Sequence, residues 1–183
     1  MELSKLLEKN RPAILKKWMG EIFDTYPADT SRFLKGQRDR FANPVGHTIT
    51  VNAEFILEGL IKGDDAGRLS GYLKQIIRIR AVQDFTPSQA VAFMESLKPV
   101  ITGQLKTEIN KYNLLDDWAE LETHIDSLTQ CAYELHTEMK KRINSIRTKE
   151  IDKGEKFLAR LMESRVTCCR DWSSDPSAFN GCT

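Results

Sequence analysis

The sequence predicts an all-α protein, and two observations lead to this prediction. Apolar residues recur at spacings of three and four along nearly all of the 183 residues, which is the periodicity of helices with one buried face. No segment alternates apolar and polar residues between turn signals, as half-buried strands do. Because 40% of the residues are hydrophobic, the chain can bury one sizeable core without disulfides. We therefore expect a single helical core followed by a long C-terminal helix.

Proline and cap residues predict the helix boundaries in the first part of the chain. Asn10 is a candidate N-cap, with Pro12 in the first turn of a helix that ends before Pro27. The pair Asn43-Pro44 repeats this signature and opens a second major helix. Gly63 follows the last apolar residue of that segment, where a glycine commonly ends a helix.

Similar signals divide the middle of the chain. Asp64-Asp65 is placed to cap a helix that runs to Val82. Thr86-Pro87-Ser88-Gln89 has the sequence of a capping box with proline at the first helical position. The helix that it opens contains Pro99, which is expected to kink it.

The last third of the chain predicts one long helix. Its apolar residues alternate between spacings of three and four, as a heptad seam requires: Trp118, Leu121, Ile125, Leu128, Ala132, Leu135 and Met139. The series resumes at Ile143 and Ile146 after a stutter. An unbroken helix over residues 114–166 would be about 80 Å long, so it must either project from the domain or break, and Gly154 is the candidate position for a break. From Thr167 the composition favours an irregular tail.

Composition and charge argue against two classes of partner. Lys and Arg number 27 against 26 Asp and Glu, and no long basic run is present, so nucleic acid is not expected to bind. No window contains the roughly 20 apolar residues of a membrane-spanning helix. The N-terminal segment also lacks the apolar stretch of a signal peptide. We expect a cytoplasmic protein that does not insert into membranes.

No constellation of side chains predicts catalysis, since the chain has neither a nucleophile elbow nor a phosphate-binding glycine loop. His47, His124 and His136 lack the spacing that would place two imidazoles on one metal. One histidine suffices as an axial haem ligand, so a haem or small-ligand sensor stays an alternative to surface and packing roles. No cofactor is assigned.

Three cysteines near the C-terminus offer a second alternative, a redox- or metal-responsive accessory protein. Clustered thiolates on a mobile tail would be accessible to oxidants and metals. Three such thiols are more often incidental. The residues concerned are Cys168, Cys169 and Cys182.

The helix that precedes Thr86 ends with three charged residues and one glutamine: Arg78, Arg80, Asp84 and Gln83. Arg80 and Asp84 are four residues apart, the spacing of a surface ion pair worth about 0.3 to 0.5 kcal/mol. Cations near a helix C-terminus also interact favourably with the helix dipole. Physical chemistry alone therefore indicates a solvated surface.

Two segments resemble the signature segments of the RsbR/RsbRD-type co-antagonist N-terminal domain. They are Arg40-Phe41-Ala42-Asn43-Pro44-Val45-Gly46 and Arg78-Ile79-Arg80-Ala81-Val82-Gln83-Asp84-Phe85-Thr86-Pro87-Ser88-Gln89-Ala90. Leu6 to Asn10, Trp18 and Tyr26-Pro27 fit the same pattern, and the similarity covers residues 1 to about 150. The resemblance implies a globin-like or bundle-like sensory module without catalytic residues. Such modules dimerise and pass a signal along their last helix.

The resemblance also implies where binding occurs. Ligand- or partner-binding residues are expected in the two signature segments: Arg40, Phe41, Asn43, Arg78, Arg80, Gln83 and Asp84. Dimer contacts are expected along the apolar seam of the long helix, although the same stripe could instead face the core of an intramolecular bundle. The dimer residues concerned are Leu128, Leu135, Met139, Ile143 and Ile146.

The predicted organisation is a sensory domain over residues 1–150, a helical extension over 151–166 and an irregular tail over 167–183. In this family a STAS domain provides the output, and we expect none within the sequence to Thr183. We therefore predict a non-enzymatic regulator of stress or redox signalling that acts as a homodimer through a separate protein partner.

Overall fold

A computed structural model of the chain describes residues 2–37 and 39–172, with side chains as far as Met162. Every regular element among these residues is a helix, so the predicted all-α class is confirmed. The chain divides into two compact units, residues 1–140 and 141–183. The helices are α1 (Leu3–Asp24), α2 (Ala28–Gly36), α3 (Pro44–Lys62), α4 (Ala66–Val82), α5 (Pro87–Glu95), α6 (Leu97–Lys111) and α7 (Leu115–Trp172).

One hydrophobic core holds the first unit together. It takes buried side chains from each helix from α1 to α6, and from α7 as far as Ala132. Trp18 is fully buried at its centre, and its indole Nε1 donates a hydrogen bond of 2.6 Å to the carbonyl of Phe93. Because this bond satisfies the polar atom of a buried tryptophan, α1 and α5 are joined without an unpaired donor.

The first helix begins at Leu3, so the prediction that Asn10 is its N-cap was wrong. Asn10 lies inside α1, where its Nδ2 donates to the carbonyl of Leu6 at 2.8 Å. Pro12 removes a hydrogen bond from the helix interior and costs about 3 kcal/mol. Leu3, Leu6 and Leu7 are all buried, and each contributes about 1.5 to 3 kcal/mol. Burial of the three leucines therefore outweighs the cost of the proline.

The caps predicted in the middle of the chain are confirmed. The Asn43 side chain accepts a hydrogen bond from the backbone N–H three residues on, at the start of α3. Gly63 ends that helix with a φ of 73°, a conformation that favours glycine. Asp65 caps α4, and Thr86 and Gln89 form the capping box of α5.

The segment after Thr86 forms two helices, with the interruption at Ser96 and not at Pro99. In a continuous helix the proline ring would clash with the carbonyl four residues earlier, that of Glu95. Ending α5 at Glu95 places Pro99 in the first turn of α6, where a missing N–H is tolerated. The predicted disruption is therefore present, but three residues upstream.

Helix α7 continues through Gly154 to Trp172, so of the two alternatives the helix is continuous and the candidate break at Gly154 is absent. A single glycine costs a helix about 1 kcal/mol relative to alanine, which is too little to end a helix with good helix formers on both sides. Residues 167–172 are helical as well, where the composition favours an irregular tail. Residues 173–183, and with them Cys182, lie outside the described residues.

The second unit is described as far as residue 172, and this part consists of the C-terminal portion of α7. At 3.6 residues per turn its exposed apolar side chains fall within one half of the helix circumference: Ile146, Ile151, Phe157, Leu158, Leu161 and Met162. None of the helices in the described ranges combines the length and the apolarity needed to cross a membrane.

Candidate functional site

The two signature segments meet at the surface of the first unit. A groove of about 410 Å³ lies between the start of α3 and the end of α4. Its lining residues are Pro44, Val45, Thr48, Gln75, Arg78, Ile79, Val82 and Gln83. The structure therefore brings Arg78 and Gln83 of the second segment beside Pro44 and Val45 of the first.

This groove combines apolar walls with a cationic and amide rim. Val82 is 62% exposed although it is apolar, while Val45 and Ile79 are half-buried. Arg78 and Gln83 are exposed on the same stretch of α4. Such a surface suits a partner segment that offers an apolar side chain next to a carboxylate or a carbonyl.

Arg40 and Phe41 lie in the loop before α3 and are not among the residues that line the groove. Phe41 is 91% exposed, and the Arg40 guanidinium lies 5.9 Å from the centre of its ring. The Asp39 carboxylate accepts a hydrogen bond of 2.7 Å from the Phe41 N–H, which shapes the loop. Phenylalanine and arginine are both enriched at protein–protein interfaces.

The Asn43 side chain is buried and bonded to the backbone. It is 2% exposed, and its Nδ2 donates to the carbonyls of Leu34 and Gln37 at 3.2 and 2.9 Å. Its Oδ1 accepts from the Gly46 N–H at 2.8 Å. The side-chain amide therefore joins the end of α2 to the start of α3 and places Pro44 at the groove.

Arg80 points away from the groove and is fully buried, so the prediction of a surface ion pair with Asp84 was wrong. Its Nη1 donates to the carbonyl of Gln89 at 2.8 Å. Its Nη2 donates to the Thr25 hydroxyl at 3.1 Å, and the Ile22 carbonyl lies 3.4 Å away. The guanidinium thus connects α4 with α1 and α5.

Three aromatic rings enclose this guanidinium. Its Cζ lies 5.7, 5.1 and 5.0 Å from the ring centres of Tyr26, Phe85 and Phe93, within the range of cation–π attraction. Burial lowers the pKa of Arg80, and the neighbouring Tyr26 opposes that effect. Burial likewise raises the pKa of the Tyr26 phenol. The rings and hydrogen bonds offset part of the cost of burying the charge.

The turn between α4 and α5 is attached to α7. Asp84 adopts the left-handed conformation with a φ of 57°, and its carboxylate pairs with Lys140 at 2.6 Å. The Phe85 carbonyl lies 3.1 Å from Nε2 of His136, which is 1% exposed. Both α7 residues belong to the first unit, so the end of the groove and the long helix are joined by two polar contacts.

A known protein family matches the part of the chain that contains both signature segments. The model of the RsbT co-antagonist protein rsbRD N-terminal domain matches residues 12–150, about three quarters of the chain. The chain belongs to this family. The match contains both segments on which the resemblance rests and so confirms it. Neither the curated proteins nor the solved structures provide a match.

The RsbRD N-terminal domain family consists of sensory co-antagonists of stress signalling. This family is regulatory and not catalytic. At the junction of the signature segments the described side chains form the groove and the cluster around Arg80.

The described histidines and cysteine of this RsbRD domain are scattered. No group of three His, Cys, Asp or Glu in the described part of the chain is placed to hold a metal ion. His47 is exposed, His124 is half-buried, and His136 is sealed against Phe85. Burial raises the pKa of the half-buried Cys131 thiol, which makes it less nucleophilic at neutral pH. Cys168 and Cys169 lie in α7 beyond the described side chains.

Sequence reasoning missed the residues that surround Arg80. Tyr26, Phe85 and Phe93 come from separate parts of the chain, and no local pattern connects them with Arg80. A weak signal was present, since Phe85 lies within a signature segment and Tyr26 matches the family pattern. Three buried atoms of this cluster have no hydrogen-bond partner among the described residues: the Tyr26 hydroxyl, Arg80 Nε and His136 Nδ1.

Proposed function

We propose that this RsbRD N-terminal domain is a non-enzymatic, cytoplasmic sensor that binds a protein partner at the groove between α3 and α4. The observation that carries the proposal is the family match over residues 12–150, which contains the whole groove. The partner-binding residues are those exposed there, above all Arg78, Val82 and Gln83. Asn43 and Arg80 support the groove from inside.

The groove fits a partner segment with an apolar side chain and an acidic neighbour. Exposed Val82 would gain from burial, at about 25 cal/mol per Å² of apolar surface. Arg78 supplies a planar set of donors that matches a carboxylate in two hydrogen bonds. The α3 wall, formed by Pro44, Val45 and Thr48, adds shape without charge.

The signal would pass from the groove to α7 through the α4–α5 turn. Gln83 at the groove precedes Asp84 and Phe85, which contact Lys140 and His136 of α7. A shift of this turn must either move α7 or break those two contacts. Such a coupled element is the physical requirement for signalling between two sites.

We further propose that the domain is a homodimer through the second unit. Leu128 and Met139, which were predicted to form the dimer seam, are buried within one chain, and Leu135 is partly buried against the same core. Ile146 is 57% exposed and begins the apolar face of residues 146–162 on α7. A second copy would cover this face, since cyclic dimers are the commonest closed assemblies.

The partner site is tested by placing a photo-crosslinking amino acid at Gln83 in cells and identifying the captured protein. The matched control carries the same group at Lys74, which is exposed on α4 but does not line the groove. We expect one protein to be captured from Gln83 alone, and capture to be lost when Arg78→Glu and Val82→Asp are added. Equal capture from both positions would contradict the proposed site.

The dimer is tested by sedimentation equilibrium at micromolar concentration. Ile143→Asp with Ile146→Asp is expected to yield a monomer, because two carboxylates would be buried unpaired. Ser145→Asp is the matched control, since Ser145 is exposed but lies about 100° from Ile146 around the helix. A wild-type chain that sediments as a monomer would exclude the dimer.

A further inference from the structure

A second cavity lies in the first unit, between α1, α2 and α3. Its volume is about 700 Å³, within the range of sites that hold small molecules. Its walls are largely apolar and include Leu15, Met19, Phe23 and Leu34. None of the residues that line it also lines the groove. The cavity is therefore separate from the groove.

A glycine borders this cavity where helix formation does not require one. Gly20 lies in the interior of α1, where glycine is a poor helix former. A Cβ atom added at this position would meet no atom within 4 Å apart from the adjoining residues and backbone of its own helix. Since Gly20 lines the cavity, a larger side chain there would project into its open space. Gly20 thus leaves room that a side chain would fill.

The polar lining of the cavity favours an anion. Lys16, Lys35 and His47 border it, and no Asp or Glu is among its lining residues in the described part of the chain. Lys35 is already paired with Asp24 at 2.6 Å, whereas Lys16 is exposed on α1 beside the apolar wall. Apolar walls exclude water and so strengthen the attraction of an anion to a nearby ammonium group.

We propose that this cavity binds a small apolar molecule that carries one anionic group. The apolar part packs against Leu15, Met19 and Phe23, and the anionic group lies beside Lys16. This inference deepens the proposed sensory function and rests on it for the meaning of the ligand as a signal. Binding itself is a separate property of the purified chain.

Arg80 links the α1 end of the cavity to the α4 end of the groove. Phe23 lines the cavity, and its neighbours Ile22 and Thr25 lie at the hydrogen-bonding end of Arg80. Arg80 belongs to the same end of α4 as Arg78 and Gln83. A ligand that shifts the end of α1 would therefore act on the groove through a buried guanidinium.

The experiment uses two dyes that share the same rings. Anilinonaphthalene sulfonate is anionic, and phenylnaphthylamine is its neutral counterpart without the sulfonate. Each is titrated into the purified full chain, with binding followed by fluorescence and calorimetry. We expect one molecule of the anionic dye per chain. We expect Gly20→Leu to weaken both dyes by about tenfold or more because the side chain occupies their space.

Lys16→Glu is expected to weaken the anionic dye by about three- to tenfold and to leave the neutral dye unchanged. Lys17→Glu is the matched control, since Lys17 does not line the cavity and its ammonium lies near Gly103 of α6. Gly71→Leu is the control for the glycine, because a Cβ at Gly71 also meets open space but lies on α4 outside the cavity.

The results of dye binding and of partner capture distinguish the cavity proposal from the proposed partner site. Wild-type affinity of Gly20→Leu for both dyes would place them elsewhere and overturn the cavity proposal. Equal losses of both dyes in Lys16→Glu would overturn the anionic preference. If Gly20→Leu proves unfolded by circular dichroism, Gly20→Ala replaces it and is expected to give a smaller loss. Dye binding without partner capture would refute the proposed function alone, and capture without dye binding would refute the cavity alone.

Discussion

Replacing Arg80 with lysine or with methionine tests how a fully buried guanidinium is stabilised. Lysine keeps the charge but loses the planar set of donors that reaches Gln89 and Thr25 at the same time. Methionine fills a similar volume without charge. The two variants therefore separate the contribution of the hydrogen bonds from the cost of burying the charge.

The magnitudes follow from the contacts. Two hydrogen bonds from Arg80, of 2.8 and 3.1 Å, contribute about 1.5 to 3 kcal/mol each because the donor is charged. Methionine loses this stabilisation. It also removes the cost of burying the charge, which is several kcal/mol because no carboxylate is among the groups that influence the pKa of Arg80. We expect a net loss of about 1 to 3 kcal/mol for Arg80→Met. Arg80→Lys keeps a buried charge with poorer hydrogen bonds, and about 3 to 5 kcal/mol should be lost.

The assay is urea unfolding followed by far-ultraviolet circular dichroism, with the slope checked for two-state behaviour. Arg78→Lys and Arg78→Met are matched controls two residues earlier on α4, where the side chain is exposed, and changes within about 0.5 kcal/mol are expected. A lysine variant as stable as the methionine variant, or more stable, would refute the reasoning. The result would then show that the charge itself stabilises the cluster.

Three further predictions concern a helix cap, a buried histidine and haem. Asn43→Ala should lower the free energy of unfolding by about 2 to 3 kcal/mol in chemical denaturation, because it removes a cap and the donors to two carbonyls; a loss below about 0.5 kcal/mol would disagree. Burial lowers the pKa of His136 below 6.5, so the unfolded chain binds this proton more tightly. Stability should therefore fall as the pH drops from about 7.5 to 6 in the wild type, and less steeply in His136→Gln; identical pH profiles would contradict this. The purified protein should be colourless, because His136 is bonded to Phe85 and His47 is exposed; a Soret band stoichiometric with protein would show haem instead.

Where a helix boundary depends on neighbouring residues, the sequence predicted it correctly. Asn43 and the Thr86–Gln89 box form the predicted caps, and Gly63 takes the left-handed conformation. These interactions lie within four residues along the chain, so their partners are visible in the sequence. The family resemblance succeeded for a related reason, since its two segments are contiguous stretches of residues.

Tertiary burial decided the boundaries that the sequence predicted wrongly. Asn10-Arg11-Pro12 has the local signature of a helix start, yet α1 begins at Leu3 because Leu3, Leu6 and Leu7 are buried in the core. A local signal worth about 1 kcal/mol cannot resist burial of several leucines. Gly154 failed as a helix end for the opposite reason, because its cost is small and nothing else ends the helix.

The sequence by itself determined the helical class, the internal caps and the family of this protein. Only the tertiary structure decided which way its arginines point. Arg78 and Arg80 are two residues apart and therefore about 200° apart around α4, so one lines the groove while the other is buried. Residue type and spacing are compatible with either assignment. The choice is made by Thr25, Tyr26, Phe93 and the turn at Phe85, which come from distant parts of the chain and provide the acceptors and rings that a buried guanidinium needs.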